Sequence, residues 1–184
     1  TRASAQRSFY TKAQLLYDFG IERSQLHIMQ GCFILVGPHF AYGKDKDYRY
    51  WFSNSVRLAT QMGLHRELAS RGLDTRSQKL RRRIWSVIYN RDVLLTVAGH
   101  INVRRINDDD CDMPFVTEDD WEDDDEYQES SHILSPVSRL KKLYIVENTK
   151  LSRLCKTLSI TPAGNKSDLL CPSRCKISAN VPSS

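Results

Sequence analysis

No apolar run in this chain exceeds five residues, at positions 32–36. A transmembrane helix needs roughly 20, so a helical membrane span is excluded. No basic stretch followed by an apolar segment opens the chain, and no secretory signal is read. The first residue is Thr1 rather than Met, which suggests a fragment or a processed product. Cysteines are few, odd in number and scattered: Cys32, Cys111, Cys155, Cys171 and Cys175. Without a signal peptide, a disulfide framework is disfavoured and a reducing compartment is expected. Cys171 and Cys175 have no second pair nearby, and tetrahedral zinc needs four ligands, so no metal is expected in this chain. The eight glycines are dispersed, which leaves no phosphate-cradling loop. There is no G-x-S-x-G, and no Cys lies near a His in a recognised catalytic pattern. These absences remove the common enzyme constellations, and no cofactor is expected.

What is present is enough for one sizeable core. The chain has 184 residues, and 40% of them are hydrophobic, too many for a wholly disordered chain. The net charge of +5 conceals an asymmetry. Thirteen of the 22 acidic residues lie in positions 108–129, so the remainder carries 27 basic and 9 acidic residues. Such a basic remainder can attract nucleic acid, but the acidic segment neutralises part of it within the same chain.

Where periodicity occurs it is helical, and residues 100–117 lack it. Residues 3–19 carry Phe9, Leu15, Leu16 and Phe19 at helix-compatible spacing. Residues 23–39 predict a second helix, apolar around most of its circumference. In 47–62, Tyr48, Trp51, Phe52, Val56 and Ala59 share one face, and Gly63 follows as a residue able to take positive φ. Thr75 and Gln78 fit a capping box before a helix over 78–98, which Gly99 ends. Ser135 and Pro136 fit the start of a last helix over 137–158. No alternating strand pattern of useful length occurs. The expected fold is all-α: about five helices with a long irregular acidic connection before the last. Residues 1–159 form the helical domain, and 160–184, rich in Ser, Pro and Asn without pattern, read as a disordered tail.

Three features invite chemistry. Asp108, Asp110 and Asp112 fall at positions 1, 3 and 5 of an EF-hand loop, but Met113 and Pro114 then occupy the turn where Gly is needed, and a solvated acidic connection is favoured. Arg81, Arg82 and Arg83 precede Trp85 on a helix. At ~100° per residue they cannot all face one phosphate backbone, so at least one is expected to point inward to a carboxylate. His65, at a helix end, reads as a capping or packing residue because no second ligand has suitable spacing.

The order of the motifs says more than each alone. Tyr50-Trp51 opens a helix ending in Ala59-Thr60-Gln61-Met62-Gly63-Leu64-His65-Arg66. Then come Arg82-Arg83-Ile84-Trp85, Tyr89, Arg91-Asp92, Gly99, and Ile106-Asn107-Asp108-Asp109-Asp110-Cys111-Asp112-Met113-Pro114. Over about residues 22–158 this resembles the middle homology region of fungal zinc binuclear-cluster transcription factors. The continuation Phe115-Val116-Thr117-Glu118-Asp119-Asp120-Trp121 looks most like the cutinase-type regulators. His100-Ile101 stands where that family usually has Arg-Pro, and Ser86 where it often has a second Trp.

The resemblance implies a nuclear transcription regulator whose zinc-bearing, DNA-binding module is not in this chain. These residues would be its regulatory middle portion, with the transcription machinery or regulatory proteins as partners and no membrane. The motif positions are Trp51, Gly63, Leu64, His65, Arg66, Arg82, Arg83, Trp85, Asp92, Gly99, Asp108, Asp110, Asp112 and Pro114. Among them, Arg82 or Arg83 is expected to bond Asp92 or an acid of 108–112, pinning the connection across the helices. The alternative is a helical protein-interaction scaffold, with the acidic segment 118–129 and its Trp121 and Tyr127 as the interaction motif.

Overall fold

A computed structural model describes residues 2–37, 46–101, 104–121 and 137–160, with side chains in the last helix through Cys155. Five α-helices account for most of these residues: α1 Arg2–Asp18, α2 Gln25–Val36, α3 Tyr48–Gln61, α4 Thr75–Val97 and α5 Arg139–Ile160. Short 3-10 turns occur at Leu68–Ser70, Asp108–Asp110 and Glu118–Trp121. No strand occurs among the described residues, so the fold is all-α as the periodicity predicts. Ser135, Pro136, Tyr127 and the expected tail from 161 onward lie outside the described residues.

The α3 pattern is read correctly: Trp51, Phe52, Val56 and Ala59 are all buried. They meet Met29, Cys32 and Val36 of α2 and Trp85, Ile88, Tyr89 and Val93 of α4. Trp51 donates its indole N–H to Tyr10 Oη at 2.9 Å, and the Tyr10 hydroxyl donates to Lys46 O at 2.8 Å, tying α1 to the start of α3. A smaller cluster of Val116, Trp121 and Val146 seats α5. Asn90 of α4 donates to Thr149 Oγ1 of α5 at 2.9 Å beside this cluster.

Two local expectations change. The N-cap of α4 is Asp74, not Thr75: its carboxylate accepts from Ser77 N at 3.1 Å, while the Gln78 amide reaches back to Leu73 O. A carboxylate one residue earlier satisfies the same kind of orphan amide and complements the helix dipole. The second change is in α2, which is not buried all round. Ile34 is exposed and Phe33 half-buried, because this side of the helix borders a cavity rather than the core.

Candidate functional site

The predicted site residues fall into one frame that holds the segment 104–121 across the helices. Its first corner is the end of α3. Gly63 has φ 69°, and the Gly63 and Leu64 amides donate to Thr60 O and Ala59 O, both at 3.0 Å. A Cβ on Gly63 would lie 2.9 Å from Ala69 Cβ, so the position needs glycine for space as well as for φ. The reversed chain buries Leu64 and presents His65 O to the amides of Asp112 and Met113, at 3.1 and 3.2 Å. Asp112 returns the contact, accepting from Glu67 N at 2.7 Å. Arg66 and Asp110 form an exposed pair at 3.9 Å. The glycine turn and the Asp-rich segment, bonded across 45 residues of sequence, are therefore a single latch. The His65 ring lies 5.8 Å from that of Trp85, and burial, then the Arg66 charge, hold its pKa below the ordinary 6.5.

The second corner is Asp92, wholly buried on α4. Its carboxylate accepts from Arg104 Nε at 3.2 Å, Arg105 N at 3.0 Å and Ile106 N at 3.2 Å. Arg104 also pairs with Asp108, while Arg105 Nε donates to Ser53 Oγ at 2.7 Å. Burial weakens the Arg104 charge, but the Asp108 carboxylate together with Tyr89 and Asp92 offsets this and raises its pKa. Burial and the same carboxylate push Tyr89 up to about 12. Gly99, at φ 72°, makes the reversal that returns the chain to Asp92.

The third corner is Arg82 with Asp120, whose N–O distance is 2.6 Å. The Asp120 side chain is 1% exposed and that of Arg82 26%. Asp120 also accepts from Thr117 N at 2.8 Å. The Arg83 guanidinium lies 5.7 Å from the centre of the buried Trp121 ring. Arg81 donates to Met62 O and Ala69 O, closing the end of α3.

The inward arginine is thus real, but its expected partner is corrected. Arg82 meets Asp120, and Asp92 belongs to Arg104. Ten residues of helix separate Arg82 from Asp92, about 15 Å of rise, which no side-chain pair spans. The acids of 108–112 are held at the other end, by the α3 turn and Arg104. Arg104, Asp120 and the Asn90–Thr149 pair hold the fold at positions that sequence reasoning missed. Asp120 is hidden by composition inside an acidic run, and only the adjacent Trp121 signals burial. Trp51, Trp85 and Leu64 are core residues, and Pro114 is exposed in the latch. The three acids of the EF-hand alignment turn to three different partners: Arg104, Arg66 and Glu67 N.

Beside this frame, between α2 and the α4–α5 pair, lies a cavity of about 570 Å³. Its walls are Phe33, Leu80, Ile84, Val87, Trp121 and Ile145 with neighbouring apolar groups. Arg76, Arg83 and Gln30 are its polar members. An adjoining cavity of about 330 Å³ shares Phe33, Val87 and Ile145 with it.

Among the described cysteines, Cys32, Cys111 and Cys155 sit on separate elements, and burial pushes the Cys32 and Cys111 thiols up to about 11; Cys171 and Cys175 lie outside the described residues. Among the described residues no group of three or more His, Cys, Asp or Glu is placed to hold a metal. No described helix is long and apolar enough to cross a membrane.

The model of the fungal specific transcription factor domain matches residues 1–175. The chain belongs to this family. Similar members include the fusaric acid cluster transcription factor FUB12 of Gibberella fujikuroi, 36% identical over 167 residues, which cover 90% of this chain and 24% of that protein. Cutinase transcription factor 1 beta of Fusarium vanettenii is 35% identical over 122 residues, covering 66% of this chain and 14% of that protein. The acetamidase regulatory protein of Aspergillus fumigatus is 27% identical over 123 residues, covering 66% of this chain and 16% of that protein. The chain thus spans about a quarter or less of the length of these relatives. No solved structure matches it. The residues that carry the sequence resemblance, from the Gly63 turn through Arg82 and Asp92 to the Asp-rich latch, take part in the frame.

Proposed function

We propose that this chain is the regulatory middle region of a fungal, nuclear, sequence-specific transcription regulator. The observation that carries this reading is the family match across residues 1–175. DNA would be contacted by a zinc-cluster module outside these residues, and transcriptional machinery or regulatory proteins would be the partners. The chain itself would act without catalysis and without a cofactor. The geometry supports a framing role: Arg82, Asp92, Asp108, Asp110 and Asp112 are each turned to another part of the same chain.

The acidic-aromatic interaction segment of the scaffold alternative loses its first aromatic, since Trp121 is buried against Arg83 and α5. The test is a reporter assay with residues 1–184 placed between a heterologous DNA-binding module and an activation segment. Output is expected to differ from that of an equally long flexible linker, and Asp92→Ala is expected to return it to the linker level. Equal output from the chain and the linker would reject the regulatory reading.

A further inference from the structure

Helix α5 has two opposite faces of different character. On one, Val146, Thr149 and Ser152 are buried. On the other, about half a turn away at ~100° per residue, Leu140, Tyr144, Leu151 and Leu154 are 78%, 68%, 53% and 63% exposed. With Glu147 among them, successive members of this outer row lie four, three, four and three residues apart. That is a heptad seam, the 3.5-residue repeat that keeps one face of a helix against a second helix. From Leu140 to Leu154 it runs about 21 Å at 1.5 Å per residue. A contiguous apolar row left exposed on an ordered helix marks an interaction surface.

The charges along the seam say which helix fits it. Lys141 and Lys150 are exposed and flank it on its two sides, at the positions that set partner choice in coiled coils. Lys150 pairs with Glu147 at 2.7 Å, but the two side chains are 61% and 62% exposed. Water screens such a pair, and little is lost in exchanging it for another. A second copy of α5 fits poorly. In a parallel pair the two Glu147 carboxylates would share one layer. In an antiparallel pair each would be buried against an apolar layer with no cation in it. We propose that this face docks an amphipathic helix of another protein, apolar along its own seam, acidic opposite Lys141 and Lys150 and basic opposite Glu147. The inference rests on the reading of regulatory proteins as partners and names the chemistry of the element by which one binds.

Two synthetic three-heptad peptides are the probes. Both carry Leu along the seam and one Lys opposite Glu147. One has Glu at the flanking positions and the other Lys, so each repels itself and stays monomeric. Titrated by fluorescence anisotropy against the purified chain at physiological salt, the Glu-flanked peptide is expected to bind one to one. It should bind about tenfold or more tighter than the Lys-flanked peptide. Lys141→Glu combined with Lys150→Glu is expected to reverse that preference, and Leu151→Asp to abolish binding of both. All three positions are exposed, so the fold is expected to survive, and circular dichroism checks it. No binding of either peptide, equal binding of the two, a preference that survives the charge exchange, or binding that survives Leu151→Asp would each overturn the proposal. A chain that sediments as a dimer until Leu151→Asp is made would give the face to a second copy. Uptake by phosphatidylserine vesicles that Leu151→Asp abolishes, with no peptide bound, would give it to a lipid surface. Either result overturns the proposal as well. Peptide binding is read without DNA, so its failure leaves the reporter result standing, and failure of the reporter assay leaves the peptide result standing.

Discussion

Asp92 shows how one carboxylate can set a chain path. It is buried on a helix interior and accepts two backbone amides and a guanidinium from 104–106. Asp92→Ala is expected to cost about 4 kcal/mol, because it orphans buried donors and leaves Arg104 with Asp108 alone. Arg82→Ala is expected to cost less, about 3 kcal/mol, since water reaches the partly exposed Arg82 site and can solvate Asp120 in part. Asp120→Asn should be milder still, as the amide oxygen can keep the Thr117 N–H. Chemical denaturation of the three variants checks the order, and an Asp92→Ala no more harmful than Asp120→Asn would contradict it. His65 adds a pH dependence. Its pKa is lowered in the fold by burial and by Arg66, while Asp112 and Asp110 pull the other way. The unfolded chain therefore takes up a proton that the folded chain refuses as pH falls through about 6.5, and stability falls with it. His65→Gln should flatten the stability change between about pH 7.5 and 5.5, a window above most carboxylate titration; an unflattened curve would remove His65 as its source.

At the scale of elements, legibility depended on whether a signal was local. Gly63 and Gly99 were both readable as helix ends, and both take positive φ. They differ in what a side chain would meet: nothing lies within 4 Å of a Cβ on Gly99, while Ala69 crowds one on Gly63. Gly99→Ala should therefore cost about 1 kcal/mol, from conformation alone, and Gly63→Ala about 2 kcal/mol or more. Thermal melts that rank them the other way would refute the steric argument. The α3 face was legible because its aromatics meet the core directly. The α5 face was not. Of its large apolar residues Leu140, Tyr144, Leu151 and Leu154 are exposed and Leu143 is half-buried, and the helix packs through Val146, Thr149 and Ser152. Periodicity locates a helix but cannot say which face its neighbour takes when small polar groups can hydrogen-bond there. The α1 apolar residues behave likewise: Phe9, Leu15, Leu16 and Phe19 are exposed, while Tyr10, Ala13 and Tyr17 pack. Long-range pairs such as Arg82–Asp120 depend on tertiary placement, which spacing alone does not encode.

Across the whole molecule, the charge asymmetry decides what the basic residues are for. Outside positions 108–129 the chain carries 27 basic and 9 acidic residues, an apparent invitation to phosphate. The densest basic cluster is spent internally, however. Arg81 closes the carbonyls at the end of α3, Arg82 holds Asp120, and Arg83 lies over Trp121. Arg104 and Arg105 are turned to Asp92, Asp108 and Ser53. Among the described residues, the other basic side chains are distributed over several helices and loops rather than gathered on one helix aimed at a groove, which base readout requires. The purified chain, offered a pool of random duplexes at physiological salt, should enrich no sequence. Any residual association should weaken steeply with salt, as counterion release dictates. Arg81→Gln should leave that salt dependence unchanged, whereas Lys141→Gln at an exposed position of α5 should make it shallower, by up to about one unit of slope for each phosphate the chain no longer neutralises. Recovery of a single enriched sequence, or a salt slope that falls with Arg81→Gln, would place a DNA-reading surface on α4 and overturn the internal assignment of the arginine triplet.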